Sequence, residues 1–230
     1  MNEYLPLNKD EILRYLGYKR KQELTDELSN LINELMLEVQ ERSNARYFFQ
    51  DYAMEIDEEK HEIKVVGTDL VLTGKNIFNH LKRAKRVVLL AGTLGIEIER
   101  AIRLYEVSEL TKAQILDSCC VEYIERVLDL AEVEIDDTYP DLALNRRFSP
   151  GYGDLPLMPT QGQFLSAIDA TKVLGITLTD THLMVPRKSV TAIIGLFDDV
   201  TVARPNRKAP SDLTNEMVKS LNLNIKTKGK

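Results

Sequence analysis

The sequence predicts an α+β fold, and three observations carry that prediction. Segments with the apolar spacing of helices and segments with the β-branched or aromatic character of strands both recur along the chain. They do not alternate one for one, as the units of a doubly wound parallel sheet would. The 230 residues suffice for one large domain with its own core.

The elements follow in order. Residues 8–16 read as a short helix, opened by Asn8 with Glu11 three positions on, a loose form of the capping box. A longer helix is expected over residues 23–42, where Leu24, Leu28, Leu31, Ile32, Leu35 and Val39 form a helical stripe. Residues 47–56 are aromatic and extended, hence a strand. A polar turn, Asp57-Glu58-Glu59-Lys60, leads to strands at residues 62–66 and 69–72. Residues 74–84 look helical. Residues 86–91 are a buried strand rich in Val and Leu, and Gly92-Thr93-Leu94-Gly95 turns it into a helix near residues 96–105. A long helix is expected over residues 109–133, with Leu116, Cys120, Ile124, Val127 and Ala131 on one face. Residues 145–161 are punctuated by Pro150, Gly151, Gly153, Pro156 and Pro159. A helix then starts at a capping box formed by Thr160 and Gln163 and ends at Gly175. Residues 191–197 form a strand and residues 200–203 another. The domain is expected to span residues 1–205, and residues 206–230 to be a polar tail.

Composition narrows the function. The apolar fraction of 43% and charged fraction of 29% are ordinary for a globular chain. A net charge of −6, with basic residues clustered only in the tail, argues against nucleic acid, whose phosphates need grouped Lys and Arg. The start carries no signal-peptide pattern and no stretch has the length of a membrane span. Cys119 and Cys120 are neighbours about 3.8 Å apart at Cα, too close for normal disulfide geometry. They are expected to be small core residues in a cytoplasmic protein. Cys119, Cys120, His61, His80 and His182 lack metal-ligand spacing. The run at Gly92 holds only Gly-x-x-Gly, short of a dinucleotide fingerprint. Asp180-Thr181-His182 stops short of a cobalt-ligating Asp-x-His-x-x-Gly motif, because Val185 stands where the Gly belongs.

One loop combines a rigid turn with ligand-binding chemistry. In Ser149-Pro150-Gly151-Tyr152, Pro150 presets φ and Gly151 supplies a positive φ, so a type II turn is expected. Arg147 places a guanidinium fork beside it, suited to a carboxylate. Tyr152 adds an aromatic face and a hydroxyl. Together these suit a zwitterionic amino-acid ligand.

The residues Arg147-x-x-Pro150-Gly151-Tyr152 resemble the Arg-x-x-x-Gly-Tyr loop of the activation (reactivation) domain of cobalamin-dependent methionine synthase. The run that follows agrees in order: Thr171-Lys172-Val173-Leu174-Gly175-Ile176, Leu178-Thr179-Asp180-Thr181, Met184-x-Pro186 and Ser189-Val190. The resemblance covers residues 145–195. Leu13-Arg14-Tyr15-Leu16-Gly17 and Ala91-Gly92-Thr93-Leu94-Gly95 resemble free-standing versions of the domain. It implies a twisted, mainly antiparallel sheet flanked by helices. It also implies an S-adenosylmethionine site in which Arg147 holds the ligand carboxylate, Ser149, Pro150 and Gly151 form the backbone cradle, and Tyr152 lines the pocket. Cobalamin would be met only through a partner protein, a core methionine synthase or other corrinoid protein, with a flavodoxin-type electron donor. The chain departs from the family in two places. It has no Trp, hence no Asp-Trp-x-Pro-Phe-Phe opening, and Thr191-Ala192-Ile193-Ile194 replaces Ser-Gly-Trp-Tyr. Two other readings follow: an interaction subunit that has lost the ligand, and an independent methyltransferase using the turn at Gly92–Gly95.

Overall fold

The computed structural model describes residues 4–19, 23–199 and 201. The central sheet owes its place to strands that are apolar on both faces. Strands β1 (Arg46–Tyr52), β5 (Arg86–Thr93), β9 (Ser189–Phe197) and β6 (Ala143–Leu144) lie side by side in the order β1-β5-β9-β6. Every pairing is antiparallel: Phe49 faces Leu90 and Ala91 faces Thr191. Within β5, Val88 and Leu90 point to one core and Val87, Leu89 and Ala91 to another. An antiparallel strand usually keeps one wet face. Here both are covered, so the usual alternation of apolar and polar residues is missing.

The first core lies under long helices. These are α1 (Lys9–Tyr15), α2 (Asp26–Arg42), α4 (Glu97–Ser108) and α5 (Leu110–Thr138). Asn8 caps α1 by accepting from the Asp10 and Glu11 amides, as its side chain allows. The expected stripe of α2 buries Ile32, Leu35 and Val39. Cys119 and Cys120 are fully buried there, and burial pushes the Cys119 thiol up to about 12. At neutral pH it is a packing group rather than a nucleophile.

The second core is closed by smaller pieces. The hairpins β2 (Met54–Asp57), β3 (Glu62–Val65) and β4 (Val71–Thr73) form a three-stranded sheet, and β7 (Thr177–Leu178) pairs with β8 (Met184–Val185). Helices α3 (Lys75–Leu81), α6 (Thr160–Ala167) and α7 (Ala170–Leu174) pack between them. Phe164, Ile168 and Leu174 supply the buried side chains. Among the described residues no helix is long and apolar enough to cross a membrane.

The structure corrects several boundaries. The strand expected at residues 47–56 breaks at Ala53, where the chain leaves the large sheet for the small one. Residues 69 and 70 precede β4 rather than belong to it. Strand β5 runs on through Gly92 and Thr93, which pair with Val190 and Ser189. Helix α5 continues past Val133, because Ile135 extends its buried stripe. The capping box at Thr160 does not form: Pro159 holds the N-cap position and no side chain caps it. Thr160 is instead buried. The helix beyond it is split by Asp169, at φ 50, which turns the chain and lets Ile168 and Ala170 both reach the core. Gly175 does end α7, at φ 70, as a C-terminal cap requires. Residues 200, 202 and 203 of the expected last strand, and the tail at 206–230, lie outside the described residues.

Candidate functional site

The loop after α5 is fastened to the sheet before it reaches its turn. The side chain of Asn145 donates to His80 O at 2.9 Å and accepts from Gly195 N at 2.7 Å. Phe148 exchanges two backbone hydrogen bonds with Ile193, at 2.9 and 2.7 Å. These bonds lay residues 145–148 along β9 as a partial extra strand.

The turn then forms as its residues dictate. Tyr152 N donates to Ser149 O at 3.0 Å, and Gly151 sits at φ 85, the values of a type II turn. The Ser149 hydroxyl donates to Thr191 O at 2.8 Å, pinning the turn to β9. Pro150 is buried, whereas Tyr152 is 72% exposed. The Tyr152 ring meets Phe148 edge-on at 6.0 Å, and Phe148 lies 5.2 Å from the His80 ring.

Asp154 closes the loop from the far side. It accepts from Lys75 N at 2.7 Å and Asn76 N at 2.9 Å, so it caps α3 from a distant part of the chain. The backbones approach closely here: a Cβ on Gly74 would lie 2.8 Å from Asp154 Oδ1. Asp154→Ala is expected to cost about 1 kcal/mol, measured by urea denaturation. It should also speed amide exchange at residues 151–154.

His80 contributes a pH dependence. Its Nε2 lies 2.8 Å from Arg146 O. Burial lowers its pKa from 6.5, aided by the Arg146 charge and opposed by that hydrogen bond. A lowered histidine pKa means that the fold prefers the neutral ring. Its contribution to stability is therefore present above pH 6.5 and is lost as pH falls through the lowered value. His80→Gln is expected to flatten the acid side of the stability profile, followed by urea midpoints between pH 7 and 5.

Arg147 does not point into open solvent. Its Nη2 lies 3.0 Å from Glu125 Oε2 and 3.2 Å from Asp129 Oδ1, and its Nε lies 3.2 Å from Glu132 Oε1. The three acids share one face of α5 at helical spacing. Glu132 is buried, only 4% exposed. Arg147 Nη1 is buried with no hydrogen-bond partner among the described residues. The structure thus brings together Arg147, Ser149, Pro150, Gly151 and Tyr152 on one loop, and adds three carboxylates that the loop sequence does not announce. Their signal was the 125-129-132 spacing on α5, which reads as an ordinary solvated face until Arg147 is placed against it. Glu122 belongs to the same helix. Burial raises its carboxyl to about 6, against the lowering effects of the Asn8 amide and Arg126.

The other sequence candidates fare differently. Gly92 to Gly95 are all buried, and a Cβ on Gly92 would lie 2.9 Å from Leu128 Cδ2. That glycine serves helix–sheet packing, and the turn offers no opening to a nucleotide. Ala192, Ile193 and Ile194 are fully buried in β9, so they present no aromatic ring to the loop. His182 sits at φ 60 on the exposed β7–β8 turn. No group of acids, Cys and His suited to a metal ion occurs among the described residues.

No family model and no curated protein matches the sequence. Among solved structures, the chain is similar to the crystal structure of the MetH reactivation domain bound to AdoHcy. The match has a TM-score of 0.66 at 14% sequence identity, and covers 84% of this chain and 74% of that one. With its antiparallel sheet between a layer of long helices and a layer of small sheets and short helices, this chain has the fold of the MetH reactivation domain.

Proposed function

We propose that the chain is a reactivation subunit that binds S-adenosylmethionine at the Arg147 loop. It would serve a cobalamin-dependent methionine synthase or another corrinoid protein. One observation carries the reading: Arg147 Nη1 is a buried donor with no hydrogen-bond partner among the described residues, set in an otherwise acidic cluster. A buried donor without a partner costs free energy, and a ligand carboxylate would satisfy it. The surrounding carboxylates suit the remainder of such a ligand, whose ammonium and sulfonium groups are positive. Glu125 is the most exposed of the three and the nearest to hand for the ammonium. Tyr152, exposed beside the turn, offers a face to the adenosine. The solved domain of this fold holds AdoHcy, the demethylated form of the same ligand.

In this reading the protein contributes placement. The corrinoid supplies the methyl-accepting metal chemistry when the partner brings it to the loop. A rigid turn and a fixed guanidinium hold the ligand in one orientation, which lowers the entropic cost of the reaction. Leu157 and Met158 on the loop, and Leu183 and Val185 on the β7–β8 hairpin, are exposed apolar residues. Gln161 Nε2, 3.6 Å from Met184 Sδ, holds the hairpin beside the start of α6. These residues form the docking side for the corrinoid protein. A flavodoxin-type donor would supply the electron.

Isothermal titration with S-adenosylmethionine tests the ligand. Binding by the wild type and a loss of at least tenfold in Arg147→Ala are expected. No heat up to millimolar ligand would sink the proposal. That second outcome would favour the alternative of an interaction subunit without a ligand, which the buried Ala192-Ile193-Ile194 segment motivates.

A further inference from the structure

A line of contacts joins the start of the described chain to Arg147. Leu5 is fully buried in the first core. The carbonyl of Pro6 accepts from Arg126 Nε at 3.0 Å, and Asn8 N donates to Glu122 Oε1 at 3.0 Å. Residues 5–8 are thus seated on α5 by two of its side chains. The other arm of Arg126, Nη1, lies 3.5 Å from Asp129 Oδ2. Asp129 Oδ1 in turn lies 3.2 Å from Arg147 Nη2. One carboxylate is therefore shared by two guanidinium groups, and one of these is tied to the chain's N-terminal segment.

We infer that Arg126 is a positioning residue for Arg147, and that the seating of residues 5–8 on α5 sets how Arg147 meets its ligand. The inference rests on the reading of Arg147 as the ligand's anchor. Its physical basis is the freedom of an aspartate. The terminal torsion of Asp is broad, so a carboxylate held through one oxygen can swing. Asp129 is held through both oxygens, from two directions. Arg126 is only 8% exposed, so its contacts are shielded from water and worth more than a surface pair. With Arg126 removed, Asp129 Oδ2 loses that cation, and the carboxylate shifts toward Arg147 and draws the guanidinium deeper into the acidic face. Nη1 then loses its orientation toward a ligand. Lysine at 126 carries one compact ammonium and cannot span both the Pro6 carbonyl and Asp129 as a planar fork does.

The test compares full-length wild type, Arg126→Gln, Arg126→Lys and Asp129→Asn. The Nε–Hε resonance of Arg147, identified by its absence in Arg147→Lys, reports the guanidinium directly. Arg126→Gln is expected to shift that resonance and to weaken S-adenosylhomocysteine binding about tenfold. Arg126→Lys should fall between it and wild type. An unmoved Arg147 resonance in folded Arg126→Gln overturns the inference, even where affinity or stability has fallen. If Arg126→Gln does not fold, Asp129→Asn, which keeps the shape of the side chain, is read by the same criterion. If wild type binds no adenosyl ligand, the proposed function falls, while the resonance still decides whether Arg126 positions Arg147.

Discussion

Replacing Arg147 by Ala is expected to lower the unfolding free energy by roughly 3 kcal/mol at neutral pH, as removal of one partner from a buried ionic cluster does. Glu125, Asp129 and Glu132 converge on this one side chain, and Glu132 is buried at 4% exposure. Without the guanidinium these carboxylates face one another across a space of lowered dielectric. Their repulsion and the desolvation of Glu132 then lose the compensation that this guanidinium gave. Urea midpoints of the two proteins at neutral pH measure the loss of stability. Arg147→Lys should recover part of the stability, because charge is restored. It should recover little of the ligand affinity, because an ammonium cannot pair bidentately with a carboxylate. Equal stability of wild type and Arg147→Ala at neutral pH would show that the cluster does not depend on this cation. The separation matters for function: Arg147 has a structural and a proposed binding role, and only the Lys variant pulls them apart.

Gly195→Val is expected to cost roughly 3 kcal/mol, although valine is among the best strand residues. Gly195 lies in the middle of the sheet, opposite Val87. A Cβ there would come 2.7 Å from Phe197 Cε2, 3.0 Å from Leu81 Cδ2 and 3.1 Å from Ala84 Cβ. Phe197 is crowded because residues two apart share one face of a strand. Ala84 has no rotamer with which to give way. The extra methyl groups must therefore push α3 off the sheet or bend β9. The damage should reach the loop as well. Gly195 N donates to Asn145 Oδ1, and Gly195 O accepts from Asn145 N at 3.1 Å, so this residue anchors the loop's first segment. Thermal unfolding of Gly195→Ala, Phe197→Leu and the double variant supplies the check. Strong non-additivity is expected, with Phe197→Leu relieving much of the cost of the added Cβ. Additive losses would show that the Phe197 contact is not the source of the cost.

Much of the site's local form was legible from residues alone. Pro150 followed by Gly151 permits few backbone paths, and the turn forms with Tyr152 N on Ser149 O. Asn8 and Gly175 cap their helices as their side chains, or lack of one, allow. These are choices made within a few residues, where sterics and short-range hydrogen bonds decide. Where the sequence misled, a distant group had intervened. The pattern at Thr160 and Gln163 is a capping box by spacing. Yet Thr191 Oγ1 donates to Gln161 Oε1 in the buried space beneath α6, and Thr160 is itself enclosed. Gly92 looked like part of a turn, but its lack of a side chain answers to Leu128, on a helix that the local pattern cannot see.

The amino-acid sequence by itself determined the mixture of helices and strands, the α+β class, the buried character of β5 and the turn that carries Gly151. Its resemblance to a known domain extended that to the architecture. Only the tertiary structure decided what Arg147 faces. The order β1-β5-β9-β6 joins strands far apart in the chain, and the same folding lays the loop against α5. Three acids spaced along a helix are a solvated face until that packing removes water from them and sets a guanidinium among them. Local geometry depends on neighbours in sequence, whereas the electrostatics of the site depend on neighbours in space. That is why the turn of the loop could be read from its residues and the acidic cluster around Arg147 could not.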